Sequence, residues 1–186
     1  MHAKLLTGGL LPLCTTLASN SIYEAFIGDE KADALLHGHS YTAHAVGCNV
    51  AKTSVLSMLE LDTNGGWEDY KQDWTSPSGV ANASVGDDRR LWSFWEKEFV
   101  REISYKREVE SVIALGSVLA IALRDEGGKG YSSNAASELQ RRLLEADGDF
   151  NIHCRVLGNV LYLMASMVTE RESLVRIQER LMEGLS

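Results

Sequence analysis

The first sixty residues predict one strand and two helices. Residues 10–18 are mainly apolar and predict a buried strand, with Pro12 near its start. Residues 19–21 are short and polar, and they can cap a brief helix over residues 22–26. A longer amphipathic helix is predicted from about Ala43 to Glu60, because apolar side chains recur there at intervals of three and four. These side chains are Cys48, Ala51, Val55, Met58 and Leu59.

The stretch over residues 62–87 has the composition of a connection or an insertion. Residues 62–66 and 76–79 combine Asp, Asn, Ser, Pro and Gly, which is the chemistry of turns. Three aromatic residues lie among polar residues between these turns: Trp67, Tyr70 and Trp74. They form a binding surface or, more simply, pin the connection to the body of the protein.

Strand and helix patterns alternate in the second half of the chain. A helical stripe comes first, formed by Leu91, Trp95, Phe99 and Ile103. The apolar run from Val112 to Leu123, which contains Gly116, favours strand over helix. Residues 152–164 predict two short strands around Gly158.

Two further helices are predicted beside these strands. Ser133 can cap the first, whose inward face consists of Ala136, Leu139 and Leu143. Thr169 and Glu172 match a capping box that would open the last helix. Its inward residues are Leu174, Ile177 and Leu181. Alternating strands and helices of this kind predict an α/β layer.

Composition excludes several classes of function. The chain has 186 residues, enough for one domain or two, and a net charge of −8. This charge argues against a nucleic-acid surface, which needs clustered Lys and Arg. The longest apolar run is too short to span a membrane, and no secretory signal is visible. The three cysteines fit neither a disulfide framework nor a zinc site and indicate a reducing compartment.

A lysine near the start of the chain carries the first candidate chemistry. Lys4 is followed by two leucines, a threonine and the pair Gly8-Gly9. A lysine in apolar surroundings loses part of its preference for the charged form, so its amine can attack an aldehyde such as that of pyridoxal phosphate (PLP). Glycines after it would let the backbone approach the ring and its phosphate. On these residues alone, a solvated lysine before a glycine turn is the preferred explanation, because short motifs recur by chance.

Two further segments of the chain bear on the role of this lysine. One is His-Gly-His-Ser-Tyr-Thr-Ala-His-Ala-Val-Gly-Cys over residues 37–48, and the other is Arg-Val-Leu-Gly-Asn-Val-Leu-Tyr-Leu-Met over residues 155–164. In this order the three segments resemble those of the class III, fold-type I PLP-dependent aminotransferases. Within that family they are most similar to adenosylmethionine-8-amino-7-oxononanoate aminotransferases, and the tryptophan-rich insertion resembles the eukaryotic version fused behind a dethiobiotin synthetase. Alanine at position 45, where many relatives have proline, points away from ornithine and 4-aminobutyrate aminotransferases.

The resemblance implies a fold and an activity. It implies the C-terminal portion of a fold-type I transferase, with the end of the PLP-binding large domain at residues 1–61. A linker would cover residues 62–87, and a small α/β domain residues 88–186. Full-length relatives are homodimers that move an amino group from S-adenosylmethionine to 7-keto-8-aminopelargonate in biotin synthesis. A mitochondrial location follows from the resemblance alone, and a cytoplasmic one is equally open.

Residue roles follow from the resemblance at five positions. Lys4 would hold PLP through a Schiff base and shuttle the reaction's proton. Ser40 would donate a hydrogen bond to the cofactor phosphate of the partner subunit, and the amide of Gly38 would approach the substrate carboxylate. Arg155 would bind the keto-acid carboxylate, and Tyr162 would steer the adenosylmethionine group. The simpler alternatives are a turn for Ser40, an interface ion pair for Arg155 and a core position for Tyr162.

Two negative expectations complete the sequence picture. His37, His39 and His44 do not have the spacing of a zinc motif, so we expect no metal there. The family's phosphate loop, stacking aromatic ring and pyridinium-binding aspartate all precede the lysine, but only three residues precede Lys4 here. We therefore expect this chain alone to be inactive. Another class III aminotransferase and a truncated, inactive product that associates with a full-length subunit are the alternatives.

Overall fold

The computed structural model describes most of the chain in two compact units. It describes residues 2–34, 38, 42–75, 91–125, 127, 130–145 and 150–185, with residues 2–5 described by their backbone alone. The first unit is Met1–Gly66 and the second is Trp67–Ser186.

The first unit consists of short elements and one long helix. Strand β1 is antiparallel to β2, and a 3-10 turn follows β1 directly. The elements are β1 (His2–Ala3), the turn Lys4–Thr7, β2 (Cys14–Thr15), α1 (Asn20–Glu24), a second 3-10 turn (Lys31–Asp33) and α2 (Ala45–Thr63). Both helices expected in this part of the sequence are confirmed. The buried strand expected over residues 10–18 is wrong, because only two residues pair with β1 and the flanking Leu10 and Leu17 are 78% and 71% exposed.

Helix α2 presents most of its apolar stripe to solvent within this unit. Ala51 and Gly47 are buried, but Leu56 and Leu59 are more than half exposed, at 53% and 56%. An amphipathic helix normally buries its apolar side against a neighbouring element. The spacing in the sequence therefore predicted the helix correctly, but not its surroundings.

A four-stranded antiparallel sheet organises the second unit. The strand order is β3-β4-β6-β5. The elements are α3 (Glu68–Thr75), α4 (Lys97–Ser104), β3 (Val109–Leu115), β4 (Val118–Leu123), a 3-10 turn (Gly130–Ser132), α5 (Ala135–Leu144), β5 (Arg155–Leu157), β6 (Val160–Met164) and α6 (Arg171–Gly184). The α/β class expected from the sequence is confirmed.

Glycines make the two tight turns of this sheet. The run from Val112 to Leu123, expected as one strand, belongs to two, and the chain reverses between them at Gly116 with φ of 52°. The pair of short strands expected around Gly158 is confirmed as β5 and β6, with φ of 63° at that glycine. Left-handed φ values of this kind cost other residues energy, because a Cβ atom crowds the following carbonyl oxygen.

One face of the sheet and the inner sides of the helices form the hydrophobic core. The three positions expected on the inner face of α5 are buried there, as expected. The largest buried side chains of the core are Trp95, Phe94, Ile103, Leu119, Ile121, Leu143, Leu161, Leu174 and Leu181. The stripe expected to begin at Leu91 starts later, because that residue is 77% exposed and α4 begins at Lys97.

Aromatic side chains hold helix α3 on the second unit. The indole N–H of Trp67 donates to the carbonyl oxygen of Met167 at 3.1 Å, and that of Trp74 donates to Trp95 at 2.9 Å. The ring of Tyr70 meets Phe94 edge-on, with 5.0 Å between centroids. Part of the stretch expected as a connection is therefore a helix, and its aromatic residues pin it to the body of the unit.

The beginnings of α4 and α6 both differ from what the sequence indicated. The amide of Lys97 at the start of α4 donates to the carboxylate of Asp73 at 2.8 Å, and Asp73 lies on α3. Helix α6 begins after Glu170, whose side chain makes no capping bond. Thr169 instead accepts a hydrogen bond from the amide of Ser166 at 2.8 Å, so the expected capping box is wrong.

The second face of the sheet, here called the outer face, carries apolar side chains in three rows. Strand register defines the rows, since residues paired across neighbouring strands share a face. The middle row is Ile113, Ala120, Tyr162 and Arg155, and the rows beside it are Leu115, Val118 and Met164, and Ser111, Ala122, Val160 and Leu157. None of these side chains belongs to the hydrophobic core.

Candidate active site

The lysine segment folds into a compact turn between two paired strands. Lys4 opens the 3-10 turn that follows β1, and Gly8 and Gly9 have φ of 59° and 80°. A Cβ atom added at either glycine would meet no atom of the described residues within 4 Å. The backbone after the lysine is therefore left-handed and unobstructed, as a close approach to a ligand requires.

Thr7 holds this turn in shape, a role that the sequence did not indicate. Its side chain is 1% exposed, and its hydroxyl donates to the carbonyl oxygen of Leu11 at 2.7 Å. The amide of Leu10 also donates to the carbonyl of Thr7, at 3.2 Å. The sequence did contain one signal for this role, a threonine directly before a glycine pair. The hydroxyl of such a threonine can form hydrogen bonds with backbone groups that a turn leaves unpaired.

The histidine segment lies largely outside the residues that the structure describes. This applies to Ser40, His37 and His39. Gly38 is described, and a Cβ atom there would have the hydroxyl of Thr42 at 3.8 Å as its nearest neighbour. The roles of Ser40 and Gly38 therefore stay predictions.

His44 has a structural partner in the first unit. Its Nδ1 accepts a hydrogen bond from the amide of Gly47 at 3.1 Å, so the side chain caps α2. A Cβ atom at Gly47 would lie 3.0 Å from that nitrogen and 3.3 Å from Leu13. The glycine thus permits the close packing that the cap needs.

Arg155 and Tyr162 lie opposite each other on neighbouring strands of the second unit. They are register partners in the antiparallel pair β5–β6 and share the outer face. Side chains at such positions have Cβ atoms about 4.5–5.5 Å apart. Tyr162 is half-buried and Arg155 is exposed. The pairing brings together two of the three residues to which the resemblance gives substrate-binding roles.

The guanidinium of Arg155 has no carboxylate partner in the described part of the chain. The ion pairs of that part involve other arginines, on α4, α5 and α6. An unpaired guanidinium beside an apolar surface can bind a carboxylate through two parallel N–H bonds. The guanidinium is therefore available to a carboxylate from outside the described residues, either of a ligand or of another polypeptide, and its role stays a prediction.

Neighbouring contacts fix the hairpin that carries Arg155. The side-chain amide of Gln140 on α5 donates to the backbone carbonyl of Cys154 at 3.0 Å, just before the arginine. In the turn, the Asn159 side chain donates to the carbonyl of Leu123 at 3.0 Å, and the Leu123 amide donates back to the Asn159 carbonyl at 2.8 Å. The sequence alone did not indicate that Gln140 and Asn159 would hold the candidate arginine in place.

Cys154 is not a reactive group in this environment. The residue is 1% exposed, and burial raises the pKa of its thiol. A raised pKa keeps the thiol protonated, whereas nucleophilic and metal-binding cysteines are thiolates. This agrees with a small apolar core residue.

Gly158→Ala should lower the free energy of unfolding of the second unit. The left-handed φ of 63° costs an L-residue about 1–2 kcal/mol, and the new Cβ would overlap the carbonyl oxygen of Gly130. Urea denaturation followed by circular dichroism measures the change. Gly127→Ala is the matched control, since among the described residues its Cβ would meet only Asp125, at 3.7 Å. Equal stability of the two variants would show that the turn tolerates a side chain.

Comparison with known proteins gives these residues a family context. No protein-family model matches the sequence. A bifunctional dethiobiotin synthetase/adenosylmethionine-8-amino-7-oxononanoate aminotransferase from Emericella nidulans is 52% identical over 185 residues, which cover 100% of this chain and 23% of that protein. The mitochondrial bifunctional dethiobiotin synthetase/7,8-diamino-pelargonic acid aminotransferase of Oryza sativa is 42% identical over 94% of the chain and 19% of its own length.

The fold agrees with the sequence relatives. The crystal structure of an adenosylmethionine-8-amino-7-oxononanoate aminotransferase from Methanocaldococcus jannaschii superposes with a TM-score of 0.67 over 97% of this chain and 36% of that one, at 22% identity. The chain belongs to the class III aminotransferases. It corresponds to their C-terminal part and spans about a quarter of the length of its fungal relative. The resemblance of the three segments to this family is thereby confirmed.

Proposed function

We propose that this sequence supplies the lysine and the keto-acid-binding residues of a PLP-dependent aminotransferase of biotin synthesis. The reaction would move an amino group from S-adenosylmethionine to 7-keto-8-aminopelargonate. The observation that carries the proposal is the register pair of Arg155 and Tyr162, which places an unpaired guanidinium on the outer face beside a tyrosine. The fungal relative, 52% identical, has a name that states this activity.

The residues around Lys4 fit the proposed cofactor. The turn leaves the backbone of Gly8 and Gly9 open, so a planar ring and its phosphate could approach without a clash. PLP would supply an aldehyde for the lysine amine and a ring that accepts electrons from the substrate. Ser40, reaching across a homodimer, would donate a hydrogen bond to the phosphate.

Each residue of the chain has a distinct task in this proposal. The amine of Lys4 would hold the cofactor and would take up and return a substrate proton as a general base and acid. Arg155 would hold the keto-acid carboxylate with two parallel N–H bonds and so fix the orientation of that substrate. Tyr162 would contact the adenosylmethionine group, and the amide of Gly38 the substrate carboxylate.

A chimera tests the proposal. The matched part of the Emericella nidulans relative is replaced with these 186 residues, and the product is hereafter called the chimera. We expect it to form 7,8-diaminopelargonate from S-adenosylmethionine and 7-keto-8-aminopelargonate, measured by mass spectrometry, and to restore growth of a biotin auxotroph. The activity of the chimera is also measured with ornithine and with 4-aminobutyrate as amino donors. Activity with these donors alone would favour a different class III aminotransferase.

The alternative of an inactive product has its own outcome in this experiment. A chimera that folds and binds PLP but transfers no amino group would contradict the proposal. The unmodified relative is the positive control.

The location of the protein, mitochondrial or cytoplasmic, is also part of this proposal. The name of the rice relative includes the word mitochondrial, which supports the mitochondrial location. Among the described residues, no helix is long and apolar enough to cross a bilayer.

A further inference from the structure

A cavity of about 640 Å³ lies in the second unit, where helix α4 ends and strand β3 begins. Its described lining residues are Ser104, Tyr105, Lys106, Arg107, Glu108 and Arg124, and it is here called the basic cavity. Binding sites for small organic ligands commonly have volumes of about 300–1,000 Å³. None of the lining residues belongs to the candidate active site, so a ligand of the basic cavity would be separate from the proposed reaction.

Positive charge is concentrated in the basic cavity. Lys106, Arg107 and Arg124 contribute three cations, and Glu108 is the one carboxylate among the described lining residues. The whole chain has a net charge of −8, so this cluster is opposite in sign to the chain that carries it. A concave patch of one charge attracts ions of the other sign. The ligand that fits this lining is therefore an anion.

The fold brings the three cations together from two places in the sequence. Lys106 and Arg107 follow the C-terminal end of α4, where the helix dipole alone favours cations. Arg124 follows β4, and its Nε donates to the backbone carbonyl of Arg107 at 3.0 Å. The amide of Arg124 also donates to the carbonyl of Glu108, at 2.8 Å. The helix dipole accounts for the first two cations but not for the third, which two hydrogen bonds hold beside them.

Within the described part of the chain, no carboxylate forms an ion pair with any of these three cations. Other exposed arginines of the unit do form such pairs, as Arg101 does with Glu98 at 3.4 Å and Arg142 with Glu138 at 3.1 Å. Like charges held close together repel each other, and an anion between them converts this repulsion into attraction. The basic cavity thus differs from the neutralised arginine clusters on the helices.

We propose that the basic cavity binds the diphosphate group of a small ligand. A guanidinium offers two parallel N–H bonds to phosphate oxygens, and a lysine ammonium adds a point charge. Two arginines and a lysine together match the several charges of a diphosphate better than the single charge of a carboxylate. The group can belong to a nucleotide or to free pyrophosphate. Tyr105 is 79% exposed at the cavity, where its ring could stack on a nucleobase.

Arginine footprinting in the chimera tests this proposal. Phenylglyoxal modifies accessible arginine side chains, and peptide mass spectrometry gives the rate at each arginine separately, so binding elsewhere in the chimera does not contribute. ADP, pyrophosphate and citrate are compared at equal concentration and ionic strength, without magnesium. We expect saturating ADP or pyrophosphate to slow modification of Arg107 and Arg124 by about tenfold, because a guanidinium bonded to phosphate is not free to react. Arg101 is the matched control and should be unaffected.

Several outcomes of this experiment would overturn the proposal. Unchanged rates at Arg107 and Arg124 would show that no diphosphate binds, and equal protection by citrate would show general attraction of anions. Slow modification before any ligand is added would show that another part of the polypeptide covers the cavity. The variant Arg107→Gln should also remove the protection of Arg124, whereas Arg101→Gln should leave it intact. Protection of Arg124 that persists in Arg107→Gln would likewise contradict a shared ligand.

The variant Tyr105→Ala separates the two sources of the diphosphate group. For a nucleotide, we expect this change to weaken protection by ADP by about fivefold or more and to leave protection by pyrophosphate unchanged, because only the nucleobase stacks. Equal protection by ADP and pyrophosphate, unaffected by the change, would identify free pyrophosphate as the ligand. Footprinting is independent of turnover, so an inactive chimera with protected arginines would contradict the proposed function and support the diphosphate site.

Discussion

Lys4→Ala should abolish the covalent capture of PLP by this sequence. In the chimera, borohydride reduction should attach the cofactor to the peptide that contains Lys4, and the alanine variant should show no such adduct. Turnover should fall by at least about 10²–10⁴-fold, because that range is typical of lost proton transfer alone. Mass spectrometry of the reduced protein and a coupled amino-transfer assay provide the two measurements.

The matched control for this experiment is Lys52→Ala. Lys52 is exposed on α2, so its loss should leave the adduct and the turnover unchanged. An adduct that persists in the Lys4→Ala variant and maps to another lysine would remove Lys4 from the catalytic role. It would return the segment to its simpler interpretation, a solvated lysine before a glycine turn.

Arg155→Lys should weaken use of the keto acid far more than use of S-adenosylmethionine. Lysine keeps the charge but cannot form the two parallel N–H bonds of a guanidinium. Complete loss of one partner in a desolvated, hydrogen-bonded charge pair costs about 2–5 kcal/mol. For this change, which keeps the charge, we expect the lower end of that range, a fall of about 30-fold in kcat/KM. Single-turnover kinetics of each half-reaction in the chimera measure the two effects separately.

Arg101→Lys controls for the general effect of an arginine replacement. Arg101 lies on α4 and forms an exposed ion pair with Glu98 at 3.4 Å, which contributes little to stability. We expect both half-reactions to be unaffected by this change. Equal damage to both half-reactions in Arg155→Lys, together with a lower unfolding midpoint, would mean that Arg155 supports the fold and does not select the substrate.

Local patterns predicted the second unit better than the first. The buried face of α5 and the strands around Gly158 follow from spacing and turn chemistry that act over a few residues. The turn at Gly116 was missed because β3 and β4 both carry apolar residues, which hides the break between them. Residues 10–18 are apolar enough for a strand, but the short β1 offers only two pairing positions. Pairing partners are a tertiary property that composition does not reveal.

Part of the candidate site could have been read from the sequence in more detail. Arg155 and Tyr162 flank the two-residue turn Gly158-Asn159, and a turn of that length fixes which residues pair across the hairpin. The support from Gln140 was not predictable in the same way. It depends on which helix lies next to the carbonyl group of Cys154, and no spacing rule gives that information.

The distribution of tryptophan has a practical consequence for spectroscopy. The chain has four tryptophans, and all of them, Trp67, Trp74, Trp92 and Trp95, lie in the second unit. The indoles of Trp67, Trp74 and Trp95 donate hydrogen bonds to backbone carbonyls, and the Trp95 ring is fully enclosed. Intrinsic fluorescence excited at the red edge of the indole band is therefore a reporter of the second unit alone. Unfolding of the lysine-bearing unit would pass unseen in that signal unless a fluorophore were introduced there.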